Sequence, residues 1–244
     1  MKPLLYRIQK KLKKYKTWQL GIAFILFWTP VVVFLKITGE IIERQPIKID
    51  MSILGFVHSQ TSPALDKIFL FFTTIGNVEY ILPITLVLLT YLLYKRRRHS
   101  ALILFFGVGG AAAANIVLKS LFHRDRPIFW QSLITETGYS FPSGHAMLSA
   151  ALVLCVVAIV WRTKWRLPTI VIGGLVVFMI GLSRLYLGVH YPTDVIAGWS
   201  VSAIWIGIVV IVVHGVLYEY HKKRLVIFTT NTKNSKPSNS SRSQ

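Results

Sequence analysis

Six stretches of this chain, at about 18–37, 78–94, 100–122, 143–161, 167–186 and 193–218, are almost wholly apolar. A helix needs about 20 such residues to cross the ~30 Å hydrocarbon core of a bilayer. In lipid, every backbone N–H and C=O must find its partner inside the segment, so apolar runs of this kind fold as helices. Of the 244 residues, 53% are hydrophobic. Mean hydropathy is +0.55, which excludes an ordinary soluble domain. The expected fold class is therefore all-α: a polytopic membrane protein with six transmembrane helices. Residues 38–77 are mixed, and within them the piece at 64–75 is too short to span, so it reads as an interfacial or re-entrant helix.

Charge then orients the helices. There are 28 Lys and Arg against 9 Asp and Glu, a formal charge of +19. These cations do not form one basic face, as a nucleic-acid partner would require. They lie in short clusters between the apolar runs: an arm at 1–17, then 95–98, 162–166 and 222–224. With six spans all four clusters fall on one side, which the positive-inside rule makes cytoplasmic. Both termini lie there, the arm resting on anionic lipid. The chain thus divides into a basic cytoplasmic arm (1–17), one membrane domain (18–228) and a Ser/Asn/Lys-rich tail (229–244) with no apolar pattern, expected to be disordered. Cys155 is the lone cysteine and reads as buried packing. The scattered carboxylates, with no CxxC or HExxH, give no metal cage, so no metal or cofactor is expected.

The same layout puts three polar segments on the opposite, outer face. The first runs from Lys119 to Pro127, the second is Pro142-Ser143-Gly144-His145, and the third runs from Ser183 to Asp194. Ionisable groups at membrane depth are costly unless they have work to do. The residue types suit phosphoryl transfer. Lys119, Arg126 and Arg184 bring positive charge to phosphate oxygens. Ser143 and Gly144 open a helix, where free N–H groups favour an anion. His145 and His190 can divide the roles of acid and nucleophile. A helix starting near Pro192 brings Asp194 within reach of the His190 ring, at a helix end facing water. Taken alone, that histidine and carboxylate would also fit a boundary pair satisfied by water.

The pattern Lys-x6-Arg-Pro, then Pro-Ser-Gly-His, then Ser-Arg-x5-His-x3-Asp resembles the three signature motifs of the type 2 phosphatidic acid phosphatase family. These are integral-membrane lipid phosphatases that share their site with vanadium haloperoxidases. The resemblance implies that His190 is the nucleophile and forms a phosphohistidine. It implies that Asp194 orients His190, and that His145 protonates the leaving oxygen and later activates water. Lys119, Arg126, Ser143, Gly144 and Arg184 would cradle the phosphate, without metal. The implied partners are a lipid phosphate (phosphatidylglycerol phosphate, phosphatidate or undecaprenyl diphosphate) and membrane lipids, at the cell membrane. A six-span transporter or scaffold that only binds anions is the alternative, and it has no need of two histidines. A soluble haloperoxidase is opposed by the apolar spans. Beyond the named motif positions, Arg124 and Asp125 are expected to pair locally, with contact of Arg124 to substrate the alternative, and Gly107, Gly109, Gly110, Gly173, Gly174 and Gly181 to allow close helix packing. Trp18, Trp28, Trp161, Trp165 and Trp199 are expected in an interfacial belt or in packing, not as substrate stackers.

Overall fold

The structure, a computed structural model, describes residues 17–43, 48–130 and 132–234. The arm at 1–16 and the tail from 235 lie outside the described residues. Eight helices and no strand occur among them: α1 (Thr17–Ile42), α2 (Lys48–Ser59), α3 (Pro63–Ile75), α4 (Val78–Tyr94), α5 (Arg98–Phe122), α6 (Gly144–Val160), α7 (Arg166–Tyr186) and α8 (Pro192–Asn234). Every apolar stretch of the sequence is a helix. The last one runs on to Asn234, beyond residue 229 where the tail was expected to begin.

By length and apolarity, α5, α7 and the Pro192–Gly215 part of α8 are able to cross a membrane. A fourth crossing results when α3 and α4 are taken together as one span bent by 48°. Apolar α6 is shorter, at 17 residues. The short helix expected at 64–75 is α3. Ser62 caps it by accepting from the Leu65 N–H, and Pro63 occupies its first turn. The break between α3 and α4 falls at Gly76, where a Cβ would strike Ile180 and approach His145.

Helix α2 is absent from the sequence expectation, which left 48–59 as part of a mixed region. Its polarity is inverted relative to a helix on a soluble protein. Ile49 and Phe56 are exposed, while Asp50 and Leu54 are buried. A carboxylate turned inward with greasy residues outward suits an apolar surround.

The core sits around α6, which packs against α5, α7 and α8. Leu104, Val108 and Ala111 of α5 meet Met147, Ala151 and Cys155 of α6 and Ile206 of α8. Cys155 has the packing place expected of it, its Sγ near the Ile103 carbonyl. Of the glycines expected to permit close approach, Gly107, Gly110, Gly173 and Gly181 each face a side chain that a Cβ would overlap, whereas Gly109 and Gly174 face open space. Outward-facing Val87, Phe105, Ile116, Val171, Ile172 and Ile211 are exposed, which in water would be an aggregation surface and in lipid is the solvated one.

Candidate active site

The alternation of α5, α6, α7 and α8 brings four helix ends to one end of the bundle: the C-termini of α5 and α7 and the N-termini of α6 and α8. Helix α5 stops at His123, which takes a left-handed φ of 46° and donates its N–H to the Lys119 carbonyl at 3.3 Å. The chain then turns into the segment holding Arg124 and Arg126. Helix α6 starts at Ser143, whose N–H donates to the Asp194 carbonyl at 3.1 Å and so ties α6 to the first turn of α8. Gly198 allows this approach, because a Cβ there would lie 2.9 Å from the Ser143 carbonyl oxygen. Buried Asn115 secures the other side. Its Nδ2 donates to the Pro142 carbonyl at 3.1 Å, and its Oδ1 sits 3.2 Å from where a Cβ on Gly144 would be.

His190 is 1% exposed and Asp194 0%, so the pair does not face water at a helix end as the sequence suggested. The turn after α7 folds back on the helix end, with the Gly188 and Val189 N–H groups donating to the Leu185 and Arg184 carbonyls at 3.0 and 3.2 Å. His190 Nδ1 lies 3.3 Å from Asp194 Oδ2, and its Nε2 lies 3.2 Å from Arg126 Nη1. A guanidinium only donates, so Nε2 presents its lone pair and Nδ1 carries the proton toward Asp194. The ring is thus held in the tautomer a nucleophile needs. Burial pushes the His190 pKa well below its ordinary value, and the charges of Arg184, Arg126 and Lys119 push it further, with Glu136 opposing. These surroundings therefore favour the neutral ring, and burial is the strongest cause.

Arg126 also clamps the loops, donating to the carbonyls of Val189 at 2.9 Å and Gly138 at 3.0 Å. Arg184 is fully buried and donates to Thr73 and to Glu136, while its Nε has no partner among the described residues. The Ser143 hydroxyl is likewise buried and without a partner among them. Lys119 and His145 are half-buried. Lys119 lies within electrostatic reach of Arg126, Glu136, Arg184 and Asp194, and His145 within reach of Arg184, His190, Lys119 and Arg126. All eight residues singled out in the sequence therefore gather at this end. Among the described residues no cluster of three His, Cys, Asp or Glu side chains is arranged to hold a metal.

Two expectations change. Arg124 does not pair with Asp125; it bridges Asp194 Oδ1 at 2.5 Å and Asp50 Oδ2 at 2.8 Å. The local pairing fails because two fully buried carboxylates offer it partners, while Asp125 stays exposed. Glu136 was missed altogether. It sits between Arg184 and Arg126, 3.5 Å from the latter. Burial works to raise its pKa, but Arg184 and Arg126 outweigh that and hold the carboxyl below its ordinary value. The one available signal was a lone acid in the loop between the first two motifs.

A buried, oriented histidine amid guanidinium groups at the end of an apolar helical bundle suits attack on an anionic group carried by a lipid. Comparisons with known proteins give the family. Residues 100–217 match the PAP2 superfamily. Phosphatidylglycerophosphatase B of Bacillus subtilis is 32% identical over 146 residues, covering 57% of this chain and 71% of that protein. Undecaprenyl-diphosphatase of Sulfolobus acidocaldarius is 26% identical over 200 residues, covering 80% and 89%. The crystal structure of the transmembrane PAP2-type phosphatidylglycerolphosphate phosphatase from Bacillus subtilis superposes with a TM-score of 0.66 at 26% identity, covering 74% of this chain and 93% of that one. This chain belongs to the PAP2 superfamily and is a multi-pass membrane lipid phosphatase.

Proposed function

We propose that this enzyme removes the terminal phosphate of a lipid phosphate or lipid diphosphate through a phosphohistidine on His190, without a metal. The observation that carries the reading is the double orientation of the His190 ring: Nδ1 toward Asp194 and Nε2 toward Arg126. In the first half-reaction Nε2 attacks phosphorus as the bond to the lipid oxygen breaks, and His145 gives that oxygen its proton. In the second, His145 takes a proton from water, the hydroxide attacks phosphorus, the N–P bond breaks and phosphate leaves. Negative charge building on the phosphoryl oxygens is met by Lys119, Arg126 and Arg184. The unpartnered Ser143 hydroxyl and Arg184 Nε are donors that a phosphate would satisfy. Metal independence is supported by the local carboxylates, since Asp50, Glu136 and Asp194 are each bound to a guanidinium.

The relatives act, by name, on phosphatidylglycerophosphate and on undecaprenyl diphosphate. Those two lipids and phosphatidate form the substrate panel for this chain. The same reading takes α1 and α6 as crossing too, six spans in all, with the site on the outer face. It is supported by the basic clusters at 95–98 and 162–166, which lie at the bundle end away from His190. The test is phosphate release from the panel by purified protein in detergent with EDTA present, together with capture of acid-labile phosphate on the protein. Turnover in EDTA and a label lost in His190→Ala are the expected results. A requirement for magnesium would reject the mechanism.

A further inference from the structure

The buried carboxylate of Asp50 is not accounted for by any of the three motifs, and it lies outside the 100–217 segment that matches the family. It comes from α2 and is 1% exposed. Its Oδ1 accepts the Thr193 N–H at 3.0 Å, and its Oδ2 accepts the Thr193 hydroxyl at 2.6 Å and Arg124 Nη2 at 2.8 Å. The other arm of the same guanidinium, Nη1, donates to Asp194 Oδ1 at 2.5 Å and to Thr193 Oγ1 at 2.8 Å. Asp194 Oδ2, taking the Tyr191 N–H at 2.9 Å, is then left facing His190 Nδ1. Arg124 also lies over the Tyr191 ring, 4.0 Å from its centroid, which fixes the plane of the fork.

Charge makes this more than a structural tie. An Arg124–Asp194 pair alone would cancel, leaving little negative potential for the ring that becomes positive as Nε2 bonds to phosphorus. Two carboxylates on one guanidinium leave a net negative group behind His190. Arg124 supplies direction, and Asp50 restores the charge that Arg124 would otherwise consume.

We infer that Asp50 and Arg124 are positioning residues for the hydrolysis, the bridge from α2 through the Arg124 fork holding the Asp194 carboxylate in place and negatively charged behind His190. The inference rests on the proposed roles of His190 and Asp194. Its distinguishing consequence is a pair of opposite pH shifts. The groups facing His190 are Lys119 on α5, Arg126 and Glu136 on the following loop, His145 on α6, Arg184 on α7 and Asp194 on α8, and none of these side chains is itself replaced when Asp50 or Arg124 is substituted. Removing the Asp50 charge disfavours the imidazolium; removing the Arg124 charge favours it.

The experiment measures kcat and KM against pH, on one lipid phosphate, for Asp50→Asn, Arg124→Gln, Arg124→Lys, His190→Ala and Asp194→Asn. Loss of positioning is expected to lower kcat by up to about 10²-fold with KM little changed. The acidic limb should move to lower pH in Asp50→Asn and to higher pH in Arg124→Gln. Arg124→Lys keeps the charge but not the fork, so its kcat should fall without a shift of the limb. Thermal unfolding and inorganic-phosphate binding in detergent report whether the fold and its cationic pocket are still assembled, and Asp50→Asn should retain both. Near wild-type turnover in His190→Ala or Asp194→Asn would sink the underlying mechanism. If those two lose activity while Asp50→Asn and Arg124→Gln keep wild-type kcat, or move the limb the same way, or lose phosphate binding in step with kcat, the positioning role is overturned.

Discussion

In the proposed mechanism the chemistry turns on His190, and its burial decides how it titrates. Its pKa is held well below the ordinary value, so the acidic limb of kcat/KM should lie below about 6.5, the unperturbed value. A rate profile taken on a substrate with no ionisation of its own near there checks this; a limb at or above about 6.5 would contradict it. The same depression bears on the fold. Below about 6.5 the unfolded chain takes up a proton that folded His190 refuses, so stability falls as pH drops and is regained as it rises. His190→Ala should abolish turnover while leaving a folded protein. Asp194→Asn should lose much activity through the wrong tautomer; the equivalent change in the triad of a serine protease lowers kcat by about 10⁴. His145→Ala should hurt a lipid diphosphate less than a lipid monophosphate, because a phosphate monoester leaves more readily than an alkoxide. Equal losses in kcat/KM, with chemistry limiting, would remove His145 from the acid's role. These residues were legible in sequence because each motif is short and contiguous. Arg124 was not. Its partners Asp50 and Asp194 are far away along the chain, and the neighbour that sequence offers, Asp125, is not one of them.

At the scale of elements, the apolar stretches were read correctly as helices because composition alone forces them. Helix α2 escaped because its burial is inverted, with Asp50 inside and Ile49 and Phe56 outside, and no simple periodicity separates that from a mixed linker. The bend between α3 and α4 escaped for a related reason: Gly76 looks like any turn residue until Ile180 and His145 are seen against it. The contact between the starts of α6 and α8 is the most exacting in the bundle. A methyl at Gly198 would meet two backbone groups, the Ser143 oxygen at 2.9 Å and the Met147 nitrogen at 3.2 Å, and backbone cannot step aside cheaply. Gly198→Ala should therefore destabilise by about 1–3 kcal/mol and depress activity, since Ser143 moves with it. Gly174→Ala, which meets nothing within 4 Å, is the matched control. Thermal unfolding of both in detergent distinguishes them; equal melting temperatures would mean the α6–α8 contact is looser than described.

For the whole molecule, the proposed outer-face position of the site can be tested by labelling. Exposed Thr135 lies in the loop over the site and exposed Thr163 in the turn at the other end. With Cys155 replaced by alanine, a cysteine at 135 should react with an impermeant thiol reagent in intact cells, and one at 163 should not. The reverse pattern would put the site in the cytoplasm.

Helix α7 has a further consequence. At its start, Trp161 lies under Arg166 and Trp165 under Lys164, with the cations 5.2 and 5.7 Å from the ring centroids. Aromatic rings of this kind settle at the headgroup boundary. From Arg166 the helix climbs about 27 Å to Arg184 at ~1.5 Å per residue. That is close to the ~30 Å hydrocarbon thickness of an ordinary bilayer. The helix would then act as a measuring rod, with one end at one boundary and the other at the height proposed for the phosphorus atom. A lipid headgroup held too high or too low for that mark would be out of register with the chemistry, so turnover is expected to vary with the thickness of the host membrane.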